Sequence, residues 1–281
     1  MIALACRDIF DSLFHPEGRA TVARMVSRSV WLTMRRLGRR RPPVLAQAGP
    51  LGLVAVISTW ALLLIAGWAL FFLPHLDGFR IQGGAQGGDV VDALNLSLVS
   101  LTTLGFGDAV PEAGWLRIVT PLEALLGFGL LSASVSWLLL IHPVLARRRS
   151  LAYEVTLLRR EEAETDTGLL AREPHVAERV YAELTSRLIA VERDLVSFPI
   201  TYYFVESDPR FSLAATAPYL LELAERGGRE DVPDRVRLRA RLLQEALEDL
   251  AATTARGFHG ARGDSVVDLL HGYARDHLRE Q

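Results

Sequence analysis

The chain has 281 residues; half are apolar, 23% are charged, and the formal net charge is only −2. All 31 basic side chains other than histidine are arginine, so neither a Walker-type phosphate loop nor Schiff-base chemistry can be built, because both need a lysine amine. A single cysteine, Cys6, leaves no intrachain disulfide and no thiolate metal cluster.

Charge divides the chain. Residues 1–150 hold 14 arginines against 9 acidic residues, and residues 151–281 hold 17 against 24. A greasy, basic half joined to an acidic half predicts a membrane part near anionic lipid and a water-exposed part away from it.

In chain order, ATVARMVSRSVWLTMRRL (20–37) places Val22, Val26, Val30, Met34 and Leu37 on one helical face and Arg24, Arg28 and Arg35 on another. This is the pattern of an interfacial amphipathic helix, expected to anchor the span that follows or to act as a slide helix coupling cytoplasmic motion to a gate. Residues 51–73 run 23 positions without a charge, and at about 1.5 Å per residue such a helix crosses a hydrocarbon core of ~30 Å. A second span runs from Ile118 to Ile141, broken only by Glu123 and by small residues. Arg35, Arg36, Arg39, Arg40 and Arg41 precede the first span and Arg147, Arg148 and Arg149 follow the second, whereas 74–114 carries only Arg80. Both termini are therefore expected on the cytoplasmic side, with Arg147–Arg149 as a lipid-contacting collar.

Between the spans, QGGAQGGD (82–89) reads as a loop and 89–101 as a short apolar helix with Asp89 as its N-cap. Twelve or so residues give only about 18 Å of helix, too short to cross. A helix that enters and does not leave is re-entrant, and the backbone after it must be buried in protein or line a water-filled path. That backbone is LTTLGFGDAVP (101–111). A cation crossing hydrocarbon needs its hydration shell replaced by oxygens, and backbone carbonyls from four chains supply them without net charge. Aligning successive carbonyls requires some residues at φ > 0, which glycine adopts at little steric cost, hence Gly105 and Gly107. Thr103 would add its hydroxyl at the inner end. Alone, Gly-x-Gly is an ordinary turn; its place after a short helix and between two spans favours the ion path.

These residues carry a resemblance. Thr102-Thr103-Leu104-Gly105-Phe106-Gly107-Asp108 is similar to the signature of the potassium channels, and the downstream segment resembles prokaryotic two-transmembrane members, with Pro111 beyond the filter, Trp115 and Arg117 at the start of the inner helix, and Gly127 at the hinge position. The resemblance implies a membrane protein of all-α class, with an outer helix (51–73), pore helix (89–101), filter (102–108) and inner helix (115–141), assembled as a homotetramer in the cell membrane. It implies K+ held by Thr103, Leu104, Gly105, Phe106 and Gly107, with Thr102 and Asp108 in support. Phe128, Leu131, Ser132, Val135 and Leu139 would line the cavity, or else serve helix packing, and Gly127 would be a gating hinge, or else a small-residue packing surface.

The sequence departs from the pattern at Val99, where these channels often carry a glutamate that pairs with the aspartate after the filter, and at Asn95 and Leu96, which replace aromatic residues. Asp108 is thereby expected to lack its partner. Glu123, an ionisable residue within a span, is a functional candidate by default. It either reaches the back of the pore helix near Asn95 or Ser97, or faces the cavity as a cation-concentrating charge, or is a structural acid.

The expected division is thus a cytoplasmic N-terminal segment (1–48), a two-helix pore domain (49–145) and a helical cytoplasmic domain (146–281). In the last, stripes such as Val176, Val180, Leu184, Leu188, Val191 and Leu195 predict helices over 175–198 and 232–257, with shorter ones at 212–226 and 265–280. PITYYFVESDP (199–209) is an aromatic cluster, read as core rather than interface. No dinucleotide fingerprint, EF-hand loop or zinc spacing occurs, and no organic cofactor, nucleic-acid partner or enzymatic activity is expected. His271 and His277 are read as exposed, with a pH-sensing role as the alternative. Weak cation selectivity, and a membrane-anchored sensor or scaffold with a non-conducting pore, stand beside the selective potassium channel as functional readings.

Overall fold

A computed structural model describes residues 1–14, 20–38, 42–81, 89–259 and 265–277. Arg39–Arg41, His15 and the loop 82–88 lie outside the described residues. In chain order the elements are α1 (Ile2–Phe14), α2 (Thr21–Gly38), α3 (Pro42–Leu45), α4 (Ala48–Phe72), a 3-10 turn (Leu73–Gly78), β1 (Phe79–Ile81), α5 (Val90–Leu101), β2 (Ala109–Pro111), α6 (Leu116–Thr165), α7 (Pro174–Ser197), α8 (Leu213–Gly227), α9 (Asp234–Thr254) and α10 (Val266–Asp276). Short 3-10 turns at Leu169–Ala171, Pro199–Tyr203 and Pro209–Phe211 and a π turn at Ala255–His259 complete them.

The chain forms two units, Met1–Ser29 with Gly52–Leu140, and Val30–Leu51 with Ile141–Gln281. This differs from the expected three-part division, because residues 1–29 join the spans and residues 30–51 join the C-terminal helices.

In the first unit α4 and α6 are long and apolar enough to cross a membrane. Only 17% of the apolar stretch of α6 is covered within the chain, so it is not the core helix of a water-soluble domain. α1, a helix that the sequence pattern does not announce, packs along α4. A side chain at Gly67 would press on Ile2, Trp60 binds Asp8, and the two helices therefore run antiparallel. Asp8 is buried and accepts hydrogen bonds from the backbone N–H of Val22 (2.8 Å) and Ala23 (2.9 Å) and from Trp60 Nε1 (2.9 Å). One carboxylate thus caps the first turn of α2, whose N–H groups have no intrahelical partner, and ties it to a spanning helix. The buried face of α2 is accordingly Ala23, Ser27, Trp31 and Gly38. Val22, Val26, Val30 and Met34, the expected apolar face, are half-buried and Leu37 is exposed within the single chain. Small side chains at the contact let the backbone come close enough for the Asp8 cap.

The described residues are mostly helical, as expected, with one small sheet besides. β1 and β2 pair antiparallel, with Phe79 opposite Pro111, Arg80 opposite Val110 and Ile81 opposite Ala109. The inner helix does not stop near residue 141: α6 is continuous over 50 residues, about 75 Å at the α-helical rise.

In the second unit α7, α8, α9 and α10 pack around Leu184, Leu188, Leu220, Leu223, Leu243 and Leu247, all fully buried. On α7 the inward positions begin at Ala177 and Tyr181, with Val176 and Val180 half-buried at the edge of that face. Tyr181 donates to the Leu223 carbonyl (2.8 Å), and burial pushes its phenol up to about 12. Ile200, Tyr202 and Tyr203 are buried as expected, against Trp31, Phe258, Tyr273 and His277. Tyr202 stacks flat on Phe258 at 4.0 Å and donates to Asp276 (2.5 Å), which also pairs with Arg35 (2.7 Å). Burial, and then the Asp276 charge, hold the Tyr202 phenol well above its ordinary range. His271 is exposed, but His277 is buried within this aromatic cluster, a correction to the expectation that both face solvent.

Arg147–Arg149, expected as a lipid-contacting collar, each find acceptors in the helical domain. Arg147 makes a two-pronged contact with Asp194 (2.8 and 2.7 Å), buried Arg148 donates to the carbonyls of Thr201 (2.7 Å) and Phe204 (2.5 Å), and Arg149 pairs with Glu206 (2.8 Å). Arginine's planar fork fits such paired acceptors, and the helical domain supplies them.

Candidate functional site

α5 begins with a capping box: Asp89 accepts from Val91 N (2.8 Å) and Asp92 N (3.0 Å), while Asp92 accepts from Asp89 N (3.2 Å). Its other end closes as a Schellman motif, Thr103 N–H bonding Ser100 O (3.0 Å) and Leu104 N–H bonding Val99 O (3.0 Å). The residue that takes the left-handed conformation in this motif is usually glycine; here it is Thr103, at φ 57°. A β-branched residue there is a genuine outlier, of the kind held where a particular side chain is needed.

Gly105 (φ 57°) and Gly107 (φ 80°) follow, so every second residue from 103 to 107 has positive φ. A regular strand turns successive carbonyls to opposite sides. Inverting alternate residues is the backbone pattern that a row of like-directed carbonyls requires. A side chain at Gly105 or Gly107 would meet nothing within 4 Å, so backbone conformation, not crowding, calls for glycine. Thr102 donates its hydroxyl back to Leu98 O of α5 (2.7 Å). Residues 102–107 are exposed on the single chain, including Leu104 and Phe106.

The far end of the loop is held twice. Asn95 Nδ2 donates to Asp108 Oδ2 (3.1 Å), a partner other than the glutamate that Val99 replaces. Asn95 stands one helical turn before Val99 on the same face of α5, and that spacing is the signal by which the pair could be found. The β1–β2 pairing then fixes the chain directly after Asp108, extended by Glu112 N–H to Gly78 O (2.8 Å). Trp115, His75 and Phe71 cluster beside it, the first two rings 5.0 Å apart.

Behind the loop, Glu123 is fully buried and meets Ser97, not Asn95, at 2.5 Å. Gly127 lies against the last turn of α5, where any Cβ would overlap the Leu101 carbonyl. The expected hinge glycine is therefore a point of backbone contact within an unbroken helix. Phe128, Leu131, Ser132, Val135 and Leu139 leave a largely uncovered face on α6 of the single chain.

Residues 58–139 match the family described as "Ion channel". This segment belongs to the two-transmembrane pore-loop ion-channel family. The ion-channel segment thus spans most of α4, all of α5 and the apolar part of α6. An uncharacterized membrane protein, YdjJ, of Bacillus subtilis (strain 168) is 23% identical over 197 residues, 70% of this chain. The aligned region spans 58% of that relative's length. No solved structure matches the chain.

Proposed function

We propose that the chain is a potassium-selective channel, assembled as a homotetramer in the cell membrane, in which four 102–108 loops surround one axial path. The observation that carries this reading is the positive φ at Thr103, Gly105 and Gly107, set between a short capped helix and a small sheet. The carbonyls of Thr103, Leu104, Gly105, Phe106 and Gly107, with the Thr103 hydroxyl at the inner end, replace the hydration shell of K+ as the transported ion. One loop cannot encircle an ion. The exposure of residues 102–107 and of the α6 face through Phe128, Leu131, Ser132, Val135 and Leu139 supports an assembly in which the loops face one another and that face lines the cavity.

In this reading α5 is a re-entrant pore helix, and the negative end of its dipole favours a cation beneath the filter. Conduction is passive, with no bond made or broken, so the protein is not an enzyme. Both termini lie on the cytoplasmic side, where Arg24, Arg28 and Arg36, exposed on α2, are placed to meet anionic lipid.

The test is flux from liposomes holding the purified chain, with K+ or Na+ as the only permeant cation. Flux of K+ well above Na+ supports the reading. Equal flux replaces it with a weakly selective cation channel, and no flux in either salt leaves a membrane-anchored scaffold.

A further inference from the structure

Ser97 Oγ on α5 lies 3.0 Å from the Ile65 carbonyl of α4 and 2.5 Å from Glu123 Oε1 of α6. A serine hydroxyl has one hydrogen to give and two lone pairs to receive, and a backbone carbonyl has none to give. If the serine hydrogen goes to Ile65, the contact with Glu123 is a hydrogen bond only when the carboxyl brings a hydrogen of its own. If it goes to Glu123 instead, the Ile65 contact loses its hydrogen. Both bonds exist together in one arrangement: Glu123 O–H to Ser97 Oγ, and Ser97 O–H to Ile65 O.

The surroundings agree. Ser97 and Glu123 are both fully buried, and Glu123 Oε2 has no hydrogen-bond partner among the described residues. A bare carbonyl oxygen is tolerable there, whereas an ionised carboxylate would leave charge on an atom with nothing to receive it from. Among the described residues no element around Glu123 brings a buried cation: Arg7 of α1 is 82% exposed and pairs with Asp11. α4 has no ionisable residue; α5 has only Asp92, in its first turn; Asp108 is held by Asn95; Asp8 of α1 is taken by three N–H groups; and on α6 the nearest charge is Arg117, exposed and six residues earlier.

We propose that Glu123 works as a neutral carboxylic acid whose proton completes a relay from α6 through Ser97 to α4, fixing the depth and rotation of α5 and hence the loop at its end. Glu123 is a positioning residue in this scheme, replacing by a contact behind the helix the brace that Val99 cannot make. The relay is intrachain, so only its effect on conduction rests on the channel reading.

Glu123→Gln is the deciding variant, because the Gln amide is a neutral donor of nearly the same shape. The infrared difference spectrum between wild type and Glu123→Gln, recorded on the full chain in lipid at neutral pH, should contain the carbonyl stretch of one protonated carboxylic acid. Finding only the carboxylate bands overturns the proposal whether or not the protein conducts. In flux measurements Glu123→Gln should keep wild-type conduction to within about twofold, while Glu123→Leu and Ser97→Ala each lower it about tenfold, the loss expected for one buried hydrogen bond of ~1.4 kcal/mol. Raising the pH should diminish flux in wild type and leave Glu123→Gln unchanged. If Glu123→Gln loses conduction as fully as Glu123→Leu while still assembling, the side chain acts as a charge and the relay is wrong.

Discussion

The two units are built on opposite plans. In the C-terminal unit leucines such as Leu184, Leu220 and Leu247 are fully buried and most charges lie at the surface. In the membrane unit Leu62, Leu70 and Leu125 are each more than 60% exposed, while Asp8, Ser97 and Glu123 are at most 3% exposed. When the surroundings are as apolar as leucine, burying leucine discriminates little between arrangements, and interior hydrogen bonds fix which helix face meets which. In water the ranking reverses.

That contrast can be broken at its strongest points first. Gly105→Ala or Gly107→Ala forces an L side chain into a left-handed conformation at roughly 1–2 kcal/mol per residue. Repeated in each subunit of the proposed tetramer, this should abolish flux while assembly, read by size in detergent, persists. Asp8→Leu removes the acceptor of three N–H groups. Three buried donors are then left without a partner, which should lower the thermal stability of the membrane unit by about 3–5 kcal/mol, and tryptophan fluorescence should report the freed Trp60. Leu247→Ala in the C-terminal unit should cost about 2–5 kcal/mol, measured by loss of helical circular dichroism, whereas Leu125→Ala should stay within about 0.5 kcal/mol. Equal losses at Leu247 and Leu125 would dissolve the distinction between the units.

A smaller effect concerns pH. Burial raises the Tyr181 phenol from 10.0 to about 12, so the folded state keeps its proton where the unfolded chain has released it. The stability from this site is whole below pH 10 and falls as pH climbs toward about 12. Tyr181→Phe should lose about 1 kcal/mol at neutral pH with its hydrogen bond to Leu223, yet show a shallower alkaline decline.

What can be read from the sequence follows the same division. The two spans, α5 with its Asp89 cap, and the C-terminal helices to within a few residues rest on composition or period, both local properties of the chain. α1 escapes such a reading because IALACRDIFDSLF mixes three charges into an apolar segment too short to span, and Asp8 declares its role only when α2 and Trp60 arrive. The β1–β2 pair joins three-residue strands separated by 27 intervening positions, beyond the reach of any periodicity. At the site, glycine spacing announces the loop, but the Asn95–Asp108 contact needs the chain to be folded back against the helix.

At Gly127 two backbones touch, with no side chain between them to yield. The Leu101 carbonyl resting there ends the helix whose next residues are Thr102 and Thr103. Displacement of α6 at this height has no soft element to absorb it before it reaches the base of the loop. The helix whose exposed face continues below and the loop with its alternating positive φ are thus one mechanical part, and whatever moves the first is felt by the second within a residue or two.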